Sequence, residues 1–248
     1  MKLDYFDLLS PEAVYLEKIG GIVSPKLRDI ASVGIHTYQH YLSILLMDVK
    51  TYFSLIGQEE QFEQFSEEEK TGIHIFDLLT ANGQTAVLLQ EILNFFIKEE
   101  VTFLAEQRAY LIQNEDTVIG MISKEEYPSV CDIICQRCCI TSHAQEDLSK
   151  VKNKKALEIL KKIRKGRSEN ARHKKADDNM ELGNIISAVA NKSHSLNIIN
   201  IWDLTVYQIW DSFSRLSNNS IYDIQSMSVA AWGNKDNHFD AASWFKRI

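Results

Sequence analysis

Three prolines, Pro11, Pro25 and Pro128, interrupt 248 residues, and the ten glycines are scattered rather than clustered. A chain with so few backbone breakers is free to build long helices. The helix signals are numerous. Ser24-Pro25 reads as a start, with Ser as N-cap and Pro at the first helical position, where its missing N–H costs nothing. Leu27, Ile30, Tyr38, Tyr41, Leu45, Tyr52 and Leu55 then recur at mostly helical steps, and Gly57 is the expected stop. Ser66 with Glu69 forms a capping box that leads through Ile73, Phe76 and Leu79 to Asn82-Gly83. A third helix is expected from Gln84 to Lys98 through Val87, Ile92, Phe95 and Phe96.

Residues 101–104, 108–112 and 117–122 are short, rich in β-formers and separated by turn residues, which predicts a small antiparallel hairpin or meander packed on helices. Ser123 and Glu126 form another capping box, opening a helix through Val130, Ile133, Ile134 and Cys138. Toward the C-terminus, Leu182, Ile185, Ile186 and Val189 share one helix face. Leu204, Val206, Tyr207, Trp210, Phe213 and Leu216 share another, with Asp203 as the expected cap. Asn218-Asn219-Ser220 is expected to break this helix before a further one runs through Ile224, Met227 and Val229 to Gly233, and Asp240 is placed to cap a last turn. All four tryptophans lie in the last 47 residues. The fold expected is mainly α: a multi-helix body over 1–149 with a small antiparallel β hairpin or meander around 101–122, a basic helical linker over 150–177, and a helical, aromatic-rich C-terminal module over 178–248.

The formal charge is −7, with 45% apolar and 25% charged residues, which are the values of a chain that folds. Its best apolar run, Ile44 to Met47, is far short of the roughly 18–20 residues a membrane span needs. The opening residues place acids where a signal peptide would have its apolar region. The expectation is a soluble cytoplasmic protein without a membrane partner.

Candidate chemistry is sparse. Cys131, Cys135, Cys138 and Cys139 are bunched, with His143 close behind. Cys135-x-x-Cys138 with Cys131 or His143 offers zinc-type ligands. Structural zinc sites usually carry a turn at the knuckle and a second pair from elsewhere, whereas these cysteines fall on one predicted helix. Buried cysteines acting as small apolar groups are the favoured reading, with metal and redox roles behind it. His36 and His40 stand at i, i+4 without the following Glu of a metalloprotease helix and read as residues at a core margin. The Ser149-x-x-Lys152 fragment lacks its companion motifs. Phosphate-binding loop, dinucleotide fingerprint, nucleophile elbow and EF-hand loop are all missing from the sequence. No cofactor and no enzymatic activity are expected.

Residues 150–175 carry twelve Lys or Arg against Glu158 and Glu169, leaving 15 cations and 32 acids for the rest. Such a run reads as a solvated helix fraying into a linker or contacting an acidic surface. The competing reading is phosphate binding to nucleic acid through Lys161, Lys162, Arg164 and Lys165. It ranks second, because the run has no aromatic for base stacking and the remainder of the chain is strongly acidic.

The runs Glu181–Asn191 and Asn200–Phe213, with Leu3–Pro11 and Tyr41–Lys50, resemble proteins from the tail gene clusters of phages and prophages of Gram-positive bacteria, notably tail assembly chaperones. The helix bearing Leu204, Thr205, Tyr207, Asp211 and Phe213 is similar to their C-terminal element. The resemblance implies a non-enzymatic protein in the cytoplasm of the bacterial host, binding the tape measure or tail tube, with a structural tail component as the alternative. A homo-oligomer is left open. The candidate protein-binding residues are Leu204, Tyr207, Trp210 and Phe213, which share a helical face able to receive an apolar stripe.

If the basic run is a spacer or protein contact, binding of the full chain to generic RNA or duplex DNA at physiological salt stays weaker than micromolar. Tight binding with a steep salt slope, abolished by replacing Lys161, Lys162, Arg164 and Lys165, would reverse the ranking.

Overall fold

The computed structural model describes residues 1–115, 117–140, 178–234 and 239–246. It is mainly α with two small antiparallel sheets, as the sequence predicts. The chain forms two compact units. The first holds Met1–Ser142 together with Trp202–Gln208, and the second His143–Ile201 and Ile209–Ile248. The stretch 202–208, read from the sequence as part of the C-terminal module, thus lies in the first unit.

In the first unit, α1 (Tyr5–Leu9) leads to a hairpin of β1 (Val14–Leu16) and β2 (Gly20–Ile22). Neither was legible in the sequence, because each is too short to carry a period. Helices α2 (Leu27–Val33), α3 (Ile35–Leu45) and α4 (Val49–Leu55) replace the single long helix expected from Ser24 to Gly57. Gly34 adopts φ +89°, which only glycine takes easily, and separates α2 from α3. Asp48 accepts a hydrogen bond from Thr51 N at 2.7 Å and restarts the chain as α4. The start also moves: Lys26 is the N-cap residue, and its N–H donates to Asp29 at 2.9 Å. Ser24 and Pro25 are used in tertiary contacts. The Ser24 hydroxyl donates to the Arg137 carbonyl at 2.9 Å, and the Pro25 carbonyl accepts from Val206 N at 3.0 Å.

Helices α5 (Glu59–Glu63) and α6 (Glu67–Gly72) follow, the latter opened by the expected Ser66–Glu69 capping box. Ile73 is extended, so the apolar run continues as a separate α7 (Ile75–Ala81). Helix α8 (Gly83–Phe96), capped by Asn82, is the core helix. Its Leu89, Ile92, Leu93 and Phe96 are fully buried, each burial stabilising by about 1.5–3 kcal/mol.

Strands β3 (Glu100–Leu104), β4 (Ala109–Asn114) and β5 (Thr117–Ile122) form the predicted meander in that order. Tyr110 on β4 donates its hydroxyl to the Ala86 carbonyl of α8 at 2.9 Å. The free edge of β3 is covered by amide side chains of α8. Asn94 donates to the Val101 carbonyl at 2.8 Å and accepts from Val101 N at 3.0 Å, while Gln90 accepts from Phe103 N at 2.7 Å. A row of strand groups that would otherwise recruit another chain is thereby occupied. Gly120 on β5 meets the Lys18 backbone so closely that any Cβ would overlap it.

Helix α9 (Tyr127–Arg137), with Pro128 in its first turn, carries two faces. Tyr127, Val130, Ile133 and Ile134 enter the core. The other face ties down the N-terminus. Gln136 accepts from Leu3 N at 2.9 Å and donates to the Met1 carbonyl at 2.8 Å, and Asp132 faces the N-terminal ammonium at 3.4 Å. Arg137 has no exposed surface; its guanidinium donates to the Asp7 carbonyl at 2.6 Å and the Glu12 carbonyl at 2.7 Å.

In the second unit, α10 (Leu182–Lys192) buries Ile185, Ile186 and Val189, three of the four predicted face residues, and leaves Leu182 half-buried. Helix α11 (Val206–Trp232) begins in the first unit and continues through the second. Its cap is Thr205 rather than the expected Asp203. Thr205 Oγ1 accepts from Gln208 N at 3.2 Å and Gln208 accepts from Thr205 N at 3.0 Å, a reciprocal capping box. Asp203 pairs instead with Arg28. The expected break at Asn218-Asn219-Ser220 does not occur. Ser220 donates to the Leu216 carbonyl at 2.7 Å and Asn218 to the Ser243 carbonyl at 3.1 Å, so these polar groups find partners while the backbone stays helical. Asp240 caps the last turn as expected, accepting from Ala242 N at 2.9 Å.

Replacing Arg137 by Met removes the donors of two part-buried carbonyls and is expected to cost about 2 kcal/mol. Glu12→Gln, which leaves the accepting carbonyl in place, is expected to cost under ~0.5 kcal/mol. Urea unfolding of the two variants checks this; equal midpoints would remove Arg137 from its anchoring role.

Candidate functional site

The four predicted binding residues do not share one unit. Leu204 and Tyr207 belong to the first, Trp210 and Phe213 to the second. Leu204 is half-buried, and its carbonyl accepts from Leu27 N at 2.9 Å, part of a short bridge in which Lys26 pairs with Thr205. Tyr207 is half-buried as well. Trp210 and Phe213, three residues apart on α11, meet edge to face with ring centroids 6.3 Å apart, and both are half-buried. An aromatic pair of this kind presents large, stiff apolar area at low entropic cost, the chemistry of a recognition anchor.

Close by in the second unit lies a groove of about 390 Å³ lined by Lys192, His194, Leu216, Tyr222, Asp223 and Trp244. The C-terminal turn forms one wall: Arg215 donates to the Lys246 carbonyl at 2.9 Å, and Tyr222 meets Phe239 at 5.4 Å between centroids. Ser220 also lines the groove, but its hydroxyl is committed to the Leu216 carbonyl, and no hydrogen bond to His194 is formed. Sequence reasoning missed this groove, because it joins residues from three segments. The clustering of tryptophans was its one visible signal.

The cysteines lie on and just after α9. Cys131, Cys135 and Cys138 are buried and Cys139 is exposed with φ +57°. Burial pushes the Cys131 thiol up to about 12, Cys135 to about 11 and Cys138 to about 12. The Tyr127 hydroxyl faces Cys131 and the Tyr38 hydroxyl faces Cys138; burial drives both phenols well above their ordinary value. Neutral, buried thiols are poor nucleophiles and poor metal ligands. Among the described residues no three His, Cys, Asp or Glu side chains are placed to hold a metal ion. His36 and His40 are both exposed on α3. His143 and the basic residues Lys161, Lys162, Arg164 and Lys165 lie outside the described residues. No described helix is long and apolar enough to cross a membrane.

What the second unit presents is a helical surface lined with aromatic side chains. Residues 173–248 match the family described as the YomV second domain. YomV is a Bacillus phage or prophage gene product, so the match is consistent with a phage-associated protein. The match covers the C-terminal part of the chain alone. No curated protein and no solved structure matches the chain.

The raised thiols carry a pH prediction. The folded state keeps protons at Cys131, Cys135 and Cys138 that the unfolded chain releases above its ordinary value near 9. Stability from this source is full below pH 9 and declines as pH rises from there toward 12. At pH 8 a thiol reagent is expected to modify Cys139 rapidly and the other three only after unfolding. Rapid modification of all four in the native protein would contradict the buried arrangement.

Proposed function

We propose that this chain is a non-catalytic, phage-associated assembly factor that binds a helical segment of another phage protein, a tail component such as the tape measure. The observation that carries the reading is the Trp210–Phe213 pair on α11, inside the segment that matches the YomV second domain. A helical apolar stripe laid against these rings would bury aromatic area that is only half covered within the chain. A tape-measure-like partner is long and helix-rich, and its apolar stripes aggregate if left uncovered, which is the problem a chaperone solves by helix-in-groove contact. The neutral state of the buried thiols and the committed hydroxyl of Ser220 support a binding role over a catalytic one.

Co-expression of the full chain with the tape-measure protein of the same phage genome tests the reading. The expected outcome is co-purification and a gain in the partner's solubility. Trp210→Ala, removing one buried anchor worth about 2 kcal/mol or more, should weaken binding at least ~30-fold with an unchanged circular dichroism spectrum. No co-purification and no gain in solubility would end the chaperone reading.

A further inference from the structure

Helix α3 turns two imidazoles to solvent. His36 and His40 stand four residues apart on it, and both are exposed. The other face of the helix is anchored: Tyr38, Tyr41, Ile44 and Leu45 are buried, and the Tyr41 hydroxyl donates to the Glu91 carboxylate. Packing therefore holds the backbone that carries the two histidines as a helix, whatever their side chains do. At this spacing Cβ atoms lie about 5–6 Å apart on one face, one above the other. Two imidazoles so placed can turn their ring nitrogens onto one ion at about 2.0–2.1 Å, as helical metal sites do.

The surroundings leave the pair open to a cation. Among the described residues neither imidazole makes a hydrogen bond or an ion pair. From Ile30 to Met47 the chain has no Asp, Glu, Lys or Arg. No ammonium or guanidinium of this segment repels a cation, and no carboxylate of it supplies the hard oxygen ligands that calcium or magnesium requires. The exposed neighbours on α3 are neutral: Gln39, and Ser43, whose hydroxyl is committed to the His40 carbonyl.

We propose that His36 and His40 form a surface site for a divalent transition ion that prefers imidazole, namely Cu²⁺, Ni²⁺ or Zn²⁺. Each neutral imidazole gives a nitrogen lone pair to the ion, and water fills the remaining positions, so the ion keeps its oxidation state. Cu²⁺ binds tightest, by the ordinary order of these ions at nitrogen ligands. The gain over a lone histidine comes from the second imidazole, whose ligation is intramolecular because the helix already holds it nearby. With two protein ligands the site is weaker than a closed four-ligand one, in the micromolar range, and keeps positions open to a carboxylate or imidazole of another molecule. It lies within the first unit and makes no use of the Trp210–Phe213 pair.

Calorimetric titration of the full chain with Ni²⁺ at neutral pH, after the exposed Cys139 thiol has been capped, tests the assignment. The expected result is a micromolar site for which Mg²⁺ does not compete. His36→Gln and His40→Gln should each weaken it at least ~10-fold with an unchanged circular dichroism spectrum, since a lone imidazole cannot chelate. His74→Gln, a change at another exposed histidine, should leave binding as in the parent. Absence of a micromolar site, binding indifferent to either the His36 or the His40 substitution, or equal loss in the His74 variant would overturn the assignment.

Discussion

The guanidinium of Arg137 is the interaction on which the first unit's arrangement depends. A charge without exposed surface needs acceptors for its donors, and here the two terminal nitrogens donate to the backbone carbonyls of Asp7 and Glu12 while the buried Nε has no hydrogen-bond partner. Burial lowers its pKa from the ordinary value, with Cys138 and then Asp7 pulling the other way. Because the acceptors are main-chain atoms, the arginine fixes a path of backbone rather than a partner side chain. Residues 1–12 thereby become a folded part of the unit, and α9 is tied through Ser24 to the segment that leads into α2.

Main-chain groups are satisfied in the same fashion elsewhere. Asn94 and Gln90 stand in for a missing strand beside β3, and Gln208 caps α11 while its amide donates to the Leu9 carbonyl at 2.9 Å. Polar side chains that read as surface in the sequence thus serve as connectors between segments far apart in the chain. Cysteines, by contrast, act as apolar volume: three of four are buried, facing Tyr38 and Tyr127.

The exposed and half-buried apolar side chains of α11 differ along its length. Near Trp210 and Phe213, half-buried aromatic rings suit the recognition of another chain. Past Ile221, the helix exposes Ile221, Ile224, Met227 and Trp232 with Asp223 as the single charge.

The mainly α character, the β meander at 100–122, the capping box at Ser66 and the helix at 182–192 were legible because each is a local pattern: a period, a cap, a turn. The box expected at Ser123 is not the helix cap, because α9 opens at Tyr127 with Glu126 as its N-cap, and Ser123 N only donates to the Glu126 carboxylate ahead of it. The breaks were misplaced for the same reason. Apolar residues in register across Gly34 and Ile73 imitate one continuous helix, while the backbone torsions that stop it cost nothing that the pattern records. Asn218-Asn219-Ser220 imitates a stop, yet hydrogen bonds to Ser243 and Leu216 keep α11 whole. The Trp210–Phe213 pair was visible as helical spacing, but that Leu204 and Tyr207 fold with the other unit was not. Sequence alone determined where the main helical stretches and the three meander strands lie and which residues are apolar enough to bury. Tertiary structure alone decided where Arg137, Asn94 and Gln208 send their hydrogen bonds, because those partners are set by separation in space, which no local period encodes.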